Sequence, residues 1–304
     1  MASIRTVLGD IPQDELGPTH GHEHVLFAPL QDRGEDLRRL DRRAALAELE
    51  AFRDVGGSGL VDATVAELGR DPEALAEISQ VSGVHVVVAT GHTAQEWWPQ
   101  SLGLSQKPGE ALTEEMVADL SVGIAGTSVR AGVIKVGTSL HEITPCEERV
   151  IAAAARAHGA TGAPIITHTT AGTMGLQQVA LLTAHGVPAS RICVGHLDRR
   201  LIWEEHLEIA RSGAYLGYDQ ISKERYAPDR MRARFVARLI AAGYGGQLLI
   251  GSDLARRSDL LSYGGGPGLR YLLASFVNLL REEGVGEPDV QRLVVDNPRR
   301  FLSW

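Results

Sequence analysis

Residues 19–25 read Thr-His-Gly-His-Glu-His-Val, and this short stretch decides between two architectures. It is the first of eight apolar or β-branched runs. The others lie at 59–65, 84–91, 132–138, 164–169, 192–198, 214–221 and 248–254. Several are almost continuously apolar, as expected of strands buried on both faces of a parallel sheet. An open, doubly wound sheet would usually carry a glycine-rich phosphate turn after its first strand. Here the first strand ends in His-Gly-His-Glu-His, with no such turn.

Between the runs, residues 37–55, 72–81, 110–122, 145–158, 176–185, 204–212 and 229–242 carry helical periodicity. Asp71-Pro72 and Thr144-Pro145 set a capping residue before a first-turn proline, and Thr144 with Glu147 predicts a capping box. Gly56, Gly83, Gly159, Gly186, Gly213 and Gly243 are placed to end helices just before strands. A β-then-α unit repeated eight times predicts an α/β fold closed into a (β/α)8 TIM barrel. No linker or composition shift divides the chain, so residues 1–304 are expected to form a single domain. Residues 1–18 should make a short hairpin under the barrel floor, and residues 268–304 a final pair of helices.

The 304 residues carry a net charge of −8, with 44% apolar and 22% charged residues. That balance argues against a binder of nucleic acid or of anionic membranes. Two cysteines, Cys146 and Cys193, imply no disulfide framework. The first residues lack an apolar leader, and no run approaches the about 18 apolar residues of a membrane span. A cytoplasmic protein with a small-molecule substrate is the expectation.

Active sites of such barrels lie at the carboxyl ends of the strands. His22 and His24 close the first run and, two residues apart, share a strand face. His168 ends the fifth run, His196 the sixth and Asp253 the eighth, while Lys135 lies within the fourth. Imidazole and carboxylate together suit zinc and similar divalent ions. A single His-x-His is weak evidence. Polar residues at matching strand ends are stronger, because packing alone would place apolar residues there. A lysine inside a buried strand is costly unless paired; an ion pair with Asp253 or Glu67 is the lesser reading of Lys135, and modification by carbon dioxide is the alternative. His20 is expected to support the histidine pair rather than to bind an ion. Trp97 and Trp98 could wall the pocket or pack against a second copy of the chain. Lys223 and Arg256 are candidate anion holders on the seventh and eighth loops, where barrel phosphate sites gather. The alternative is a pair of solvated surface cations.

The ordered words Thr-His-Gly-His-Glu-His-Val, Gly-Val-Ile-Lys-Val-Gly-Thr, Ile-Thr-His-Thr and Val-Gly-His-Leu-Asp, with Asn297-Pro298-Arg299-Arg300-Phe301-Leu302, resemble the phosphotriesterase family of the amidohydrolase superfamily. Ile143-Thr144-Pro145, Thr173-Met174-Gly175-Leu176 and Tyr226-Ala227-Pro228-Asp229 bring it nearest to the phosphotriesterase-homology and lactonase branches. The resemblance implies a binuclear centre. His22, His24 and Asp253 would hold the buried ion, and His168 and His196 the more exposed one. Lys135, carboxylated by carbon dioxide, would bridge them. Zinc is the implied metal, with manganese or cobalt as alternatives. Asp253 would carry a proton from the attacking water to the leaving group. His92 stands where many relatives have an aromatic residue. The implied activity is hydrolysis of a lactone, including phosphorylated sugar lactones, with phosphotriester cleavage as a side reaction. The alternatives are an amidase acting on N-acyl compounds and a metal-binding protein without turnover. A homodimer is expected.

Overall fold

The computed structural model describes residues 2–304. The hairpin strands β1 (Ser3–Thr6) and β2 (Gly9–Pro12) pair antiparallel. Eight strands follow: β3 (Thr19–Glu23), β4 (Gly59–Asp62), β5 (His85–Gly91), β6 (Val133–Thr138), β7 (Ile165–Thr169), β8 (Ile192–Val194), β9 (Tyr215–Tyr218) and β10 (Leu248–Ile250). They lie parallel, side by side in chain order. Beyond β10 the backbone N–H of Asp253 donates to the His22 carbonyl at 3.1 Å and joins the last strand to the first. A Cβ on Gly251 would stand 2.8 Å from that carbonyl oxygen, so only glycine lets the two edges approach this closely. The result is the (β/α)8 barrel that the alternation predicts.

Seven helices cover the barrel: α1 (Arg42–Arg53), α2 (Pro72–Ser82), α3 (Gly109–Ser121), α4 (Pro145–Thr161), α5 (Gly175–Ala184), α6 (Trp203–Ser212) and α7 (Asp229–Ala241). Helical segments at 271–282 and 287–302 complete it, each containing a π-helical turn. Helix α1 starts at Arg42 rather than Leu37, because the Asp41 carboxylate accepts from the Arg43 and Ala44 N–H groups and fixes the start there. The capping box at α4 forms as expected. Gly159 does not stop that helix. It runs on to Thr161 and ends at Gly162, whose φ of 84° supplies the left-handed cap.

The core has two layers, set by the alternation of side chains along each strand. Val61, Val87, Val133, Ile166 and Leu249 fill the barrel interior. Val86, Val88, Ile134, Val136 and Leu248 face the helices. The hairpin closes the floor: Val7 N–H donates to Val86 at 2.8 Å, and Trp304 N–H to Ser3 at 3.1 Å. No helix among the described residues is long and apolar enough to cross a membrane, and both cysteines are free.

Candidate metal centre

β8 and β10 are among the strands that stop short of their apolar runs, and a site residue lies just beyond each. β8 ends at Val194 because His196 turns left-handed (φ 59°) into a tight turn, Leu197–Arg199. Beyond β10, Asp253 does the same (φ 49°). Left-handed backbone is unfavourable for residues with a Cβ and persists only where the surroundings enforce it.

His22 and His24 are buried at the mouth of β3. The Thr64 hydroxyl donates to the Leu26 carbonyl and therefore accepts from His24 Nδ1–H, at 2.7 Å. Asp219 Oδ2 lies 3.1 Å from His22 Nδ1, and its Oδ1 lies 2.7 Å from His196 Nδ1. Each imidazole is thus protonated on Nδ1, and each Nε2 carries a lone pair. Asp253 Oδ1 sits 3.1 Å from His24 Nε2 and 3.7 Å from His22 Nε2. Within the protein, His22 Nε2 is buried with no hydrogen-bond partner, a costly state that a cation would relieve. These three donors can share one ion. Beside them, His196 Nε2 lies 2.8 Å from His168 Nδ1, a second pair of facing nitrogens.

Electrostatics suit ligation. Burial lowers His24 to about 3. Burial, helped by the charges of His196 and Lys135, holds His168 well below its usual value. Both imidazoles are neutral. Burial would raise the Asp253 carboxyl, but Lys223, the His24 hydrogen bond and the neighbouring histidines outweigh it and hold the group well below the carboxylate range.

Lys135 is closed to solvent on β6, and its Nζ donates to the Ala63 carbonyl at 2.9 Å. The alternative ion pair does not form: among the described residues no carboxylate lies within 4 Å of Lys135 Nζ. Glu67 instead accepts from the Thr93 N–H at 2.7 Å and contacts His92 Nδ1 at 3.1 Å. Burial lowers the lysine's pKa against the opposing fields of Asp253, Glu67, Asp219 and Asp62.

The cleft above this centre, about 640 Å³ with its open mouth counted, has both apolar and cationic lining. Phe27, Leu37, Leu68 and Trp97 pack together in its lining, and Arg199, Lys223, Arg225, Tyr226 and Arg256 also line it. Trp97 stacks under the Arg33 guanidinium at 4.4 Å. Trp98 is buried, its indole N–H donating to Thr93, so only the first tryptophan walls the pocket. His92 is not in the cleft, because Glu67 draws its ring inward. His20 supports rather than ligates: Nδ1 meets Glu23 at 2.8 Å and Nε2 meets the Leu269 carbonyl at 2.9 Å.

Neither candidate anion holder is free. Lys223 is buried, with its ammonium 2.8 Å from Asp253 Oδ2, and it also donates to the Asp253 carbonyl. Arg256 is half-buried and paired with Asp36 at 3.3 Å. The sequence reading did not single out Asp219, Gln220, Thr64 or Arg199. A carboxylate ending the seventh apolar run, in Tyr218-Asp219, was the available signal for the first.

A sequence profile of the phosphotriesterase family matches residues 2–302. The chain belongs to the phosphotriesterase family. The crystal structure of a lactonase from Listeria monocytogenes matches this phosphotriesterase-family chain with a TM-score of 0.94 at 35% identity, covering 99% of this chain and 98% of that one. The phosphotriesterase homology protein of Escherichia coli (strain K12) is 36% identical over 292 residues, 95% of this chain and 99% of its own length. A phospho-furanose lactonase of Mycoplasmopsis synoviae (strain 53) is 30% identical over 324 residues, 99% and 91% of the two lengths. An N-acetyltaurine hydrolase of Salmo salar is 29% identical over 345 residues, 99% and 98%.

Proposed function

We propose that this phosphotriesterase-family protein is a metal-dependent hydrolase that opens a lactone bearing an anionic substituent, a phosphorylated sugar lactone above all. The observation that carries this reading is the lining of the cleft: a cluster of histidines and Asp253 that could hold metal at its base, and four cationic side chains, Arg199, Lys223, Arg225 and Arg256, above it. The lactonase names of the Listeria and Mycoplasmopsis relatives support it.

In this reading His22, His24 and Asp253 hold one divalent ion, and His168 and His196 hold a second. The orphaned His22 Nε2 and the facing His168 and His196 nitrogens fit such ions. Burial favours loss of the Lys135 proton; the free amine would add carbon dioxide at Nζ and release a further proton, giving an anionic carbamate that would serve as a metal ligand. Zinc suits the imidazole-rich set, with manganese and cobalt as alternatives. When bound, the ions supply Lewis acidity and a water of lowered pKa. Asp253 takes the proton of the attacking water and passes it to the leaving oxygen, while Lys223 and Gln220 hold its Oδ2 in place. Cations of the lining, some of them also paired with the protein's own carboxylates, orient the anionic end, and Trp97 supplies apolar contact. We further place the protein in the cytoplasm as a homodimer.

A second reading has one observation behind it. The same cations would hold the sulfonate of N-acetyltaurine, the compound in the name of the Salmo salar relative. Both are tested with zinc-loaded protein on a phosphorylated sugar lactone, its unphosphorylated parent, N-acetyltaurine and paraoxon. The expected result is a kcat/KM at least tenfold higher for the phosphorylated lactone than for its parent. Hydrolysis of N-acetyltaurine with both lactones inert would replace the reading with the second one.

A further inference from the structure

Glu23 lies between His22 and His24 and is fully buried. Its two oxygens serve one short piece of backbone. Oε1 accepts from the Ser252 N–H at 2.8 Å, and Oε2 from the Leu254 N–H at 2.9 Å. The N–H between them, that of Asp253, goes to the His22 carbonyl at 3.1 Å. Three successive amides beyond β10 are thus received by two successive residues of β3. Arg39 closes the other side. Also buried, it donates to the Leu254 carbonyl, to the His24 carbonyl at 2.7 Å and to the Val25 carbonyl at 3.1 Å. Leu254 is therefore held by its N–H through Glu23 and by its carbonyl through Arg39.

This geometry needs a bent chain. In an extended strand the N–H groups of residues 252 and 254 would be about 6.6 Å apart, two rises of the strand. One carboxylate cannot accept both at that separation. The left-handed backbone of Asp253, with φ 49°, folds the chain between them. Such backbone is unfavourable for a residue with a Cβ and needs an opposing gain. Two charge-assisted hydrogen bonds in a closed site supply one. We propose that Glu23 is a positioning residue, whose carboxylate selects the turned backbone at 253 and so aims the Asp253 side chain at His22 and His24. The inference rests on the reading above, in which these three residues hold one ion. His196, the other left-handed residue of the centre, is held separately, because its N–H goes to Asp219 at 2.8 Å. Loss of Glu23 should therefore weaken one ion position and spare the other.

The test is a double-mutant cycle read by zinc binding, which needs no turnover. Metal-stripped wild type, Glu23→Gln, Asp253→Ala and the double variant are titrated with zinc against a chromophoric chelator, and two binding steps are fitted. Glutamine keeps the size of the side chain but presents an amide NH2 where a backbone N–H needs an acceptor. Asp253→Ala identifies the step that uses residue 253. Glu23→Gln should raise the Kd of that same step roughly 10–100-fold, as for other supports of metal ligands, and leave the other step within about threefold. On the Asp253→Ala background it should add less than about threefold, because the side chain it positions is gone. A full further loss there, or equal losses at both steps, would show general support of the barrel and overturn the inference. So would an unchanged Kd in Glu23→Gln, or no zinc bound by wild type. Should Glu23→Gln fail to fold, Glu23→Asp takes its place under the same criteria, since it keeps the charge but draws it back from the two N–H groups. Lactone hydrolysis separates the inference from the function. If neither lactone is hydrolysed but the cycle is non-additive at one step, the function fails and the inference stands. If the phosphorylated lactone is preferred but the cycle is additive, the function stands and the inference is overturned.

Discussion

The ammonium of Lys223 lies 2.8 Å from Asp253 Oδ2, with the two side chains 4% and 17% exposed. An exposed pair of this kind contributes little, but a buried carboxylate left without its cation is costly. Lys223 belongs to the loop after β9, and Asp253 to the end of β10. The lysine thus holds the carboxylate that faces His22 and His24 and that, in the proposed function, moves a proton. Lys223→Met should lower kcat for phosphorylated and unphosphorylated substrates alike, by roughly 10–100-fold, as for loss of a charged hydrogen bond. Asp253→Asn should cost about 10²–10⁴ in rate, the range of general acid–base catalysis. A Lys223→Met protein that loses activity only on phosphorylated substrate would return the lysine to the role of anion holder.

Lys135 offers a second test. Its amine is buried, unpaired with carboxylate and held by the Ala63 carbonyl. Lys135→Ala should lose bound metal and activity together. Added acetate or propionate should restore part of both by taking the place of the bridging anion. Elemental analysis beside the rate assay checks this, and full metal content in the variant would remove the bridging role.

Asp219 gives each of its oxygens to a different histidine, His22 and His196. Such outer carboxylates fix ring orientation and strengthen imidazole donors. In Asp219→Ala both contacts are lost. Metal affinity should fall roughly 10–100-fold, and affinity at both positions should fall together. Competition with a chromophoric chelator, resolved into two binding steps, reads this directly. Weakening at one position only would mean that the aspartate serves a single histidine.

A pH test lies away from the centre. His206 is buried on α6; Nε2–H donates to the Arg200 carbonyl, and Nδ1 accepts from the Tyr218 hydroxyl at 2.6 Å. Burial lowers its pKa from 6.5 to about 4. The unfolded chain therefore takes up this proton near pH 6.5 and the folded chain only near pH 4. The contribution to stability is complete above pH 6.5 and is lost as the pH falls to about 4, a loss of about 3 kcal/mol at 1.36 kcal/mol per unit. Denaturant unfolding at pH 7 and pH 4 should show a smaller drop for His206→Gln than for wild type. Equal drops would assign acid sensitivity to other groups.

What could be read from the sequence follows a physical division. The barrel was legible because each strand is a local apolar run and each helix carries its own caps, as at Thr144 and Glu147. His22, His24, His168, His196 and Asp253 stood out because each is a polar residue where a packed core would want an apolar one. The contacts that set chemical roles are not local. Nothing near residue 223 says that its ammonium reaches Asp253, and nothing near Asp219 names residues 22 and 196. His92 could be placed at a strand end, but the buried Glu67 that turns it inward lies on another loop. Arg256 looked like a free cation until Asp36, from the loop after β3, was found against it.

The two left-handed residues at the strand ends, His196 and Asp253, carry a further consequence. Glycine is the residue that adopts such backbone without cost, and replacing either side chain with glycine would ease the local conformation while deleting a donor from the centre. For these positions thermal robustness and chemical competence pull in opposite directions. A library of this protein screened for heat resistance in the absence of metal, with no check on turnover, would be drawn toward glycine at 196 and 253 and would drift into well-folded but inert barrels.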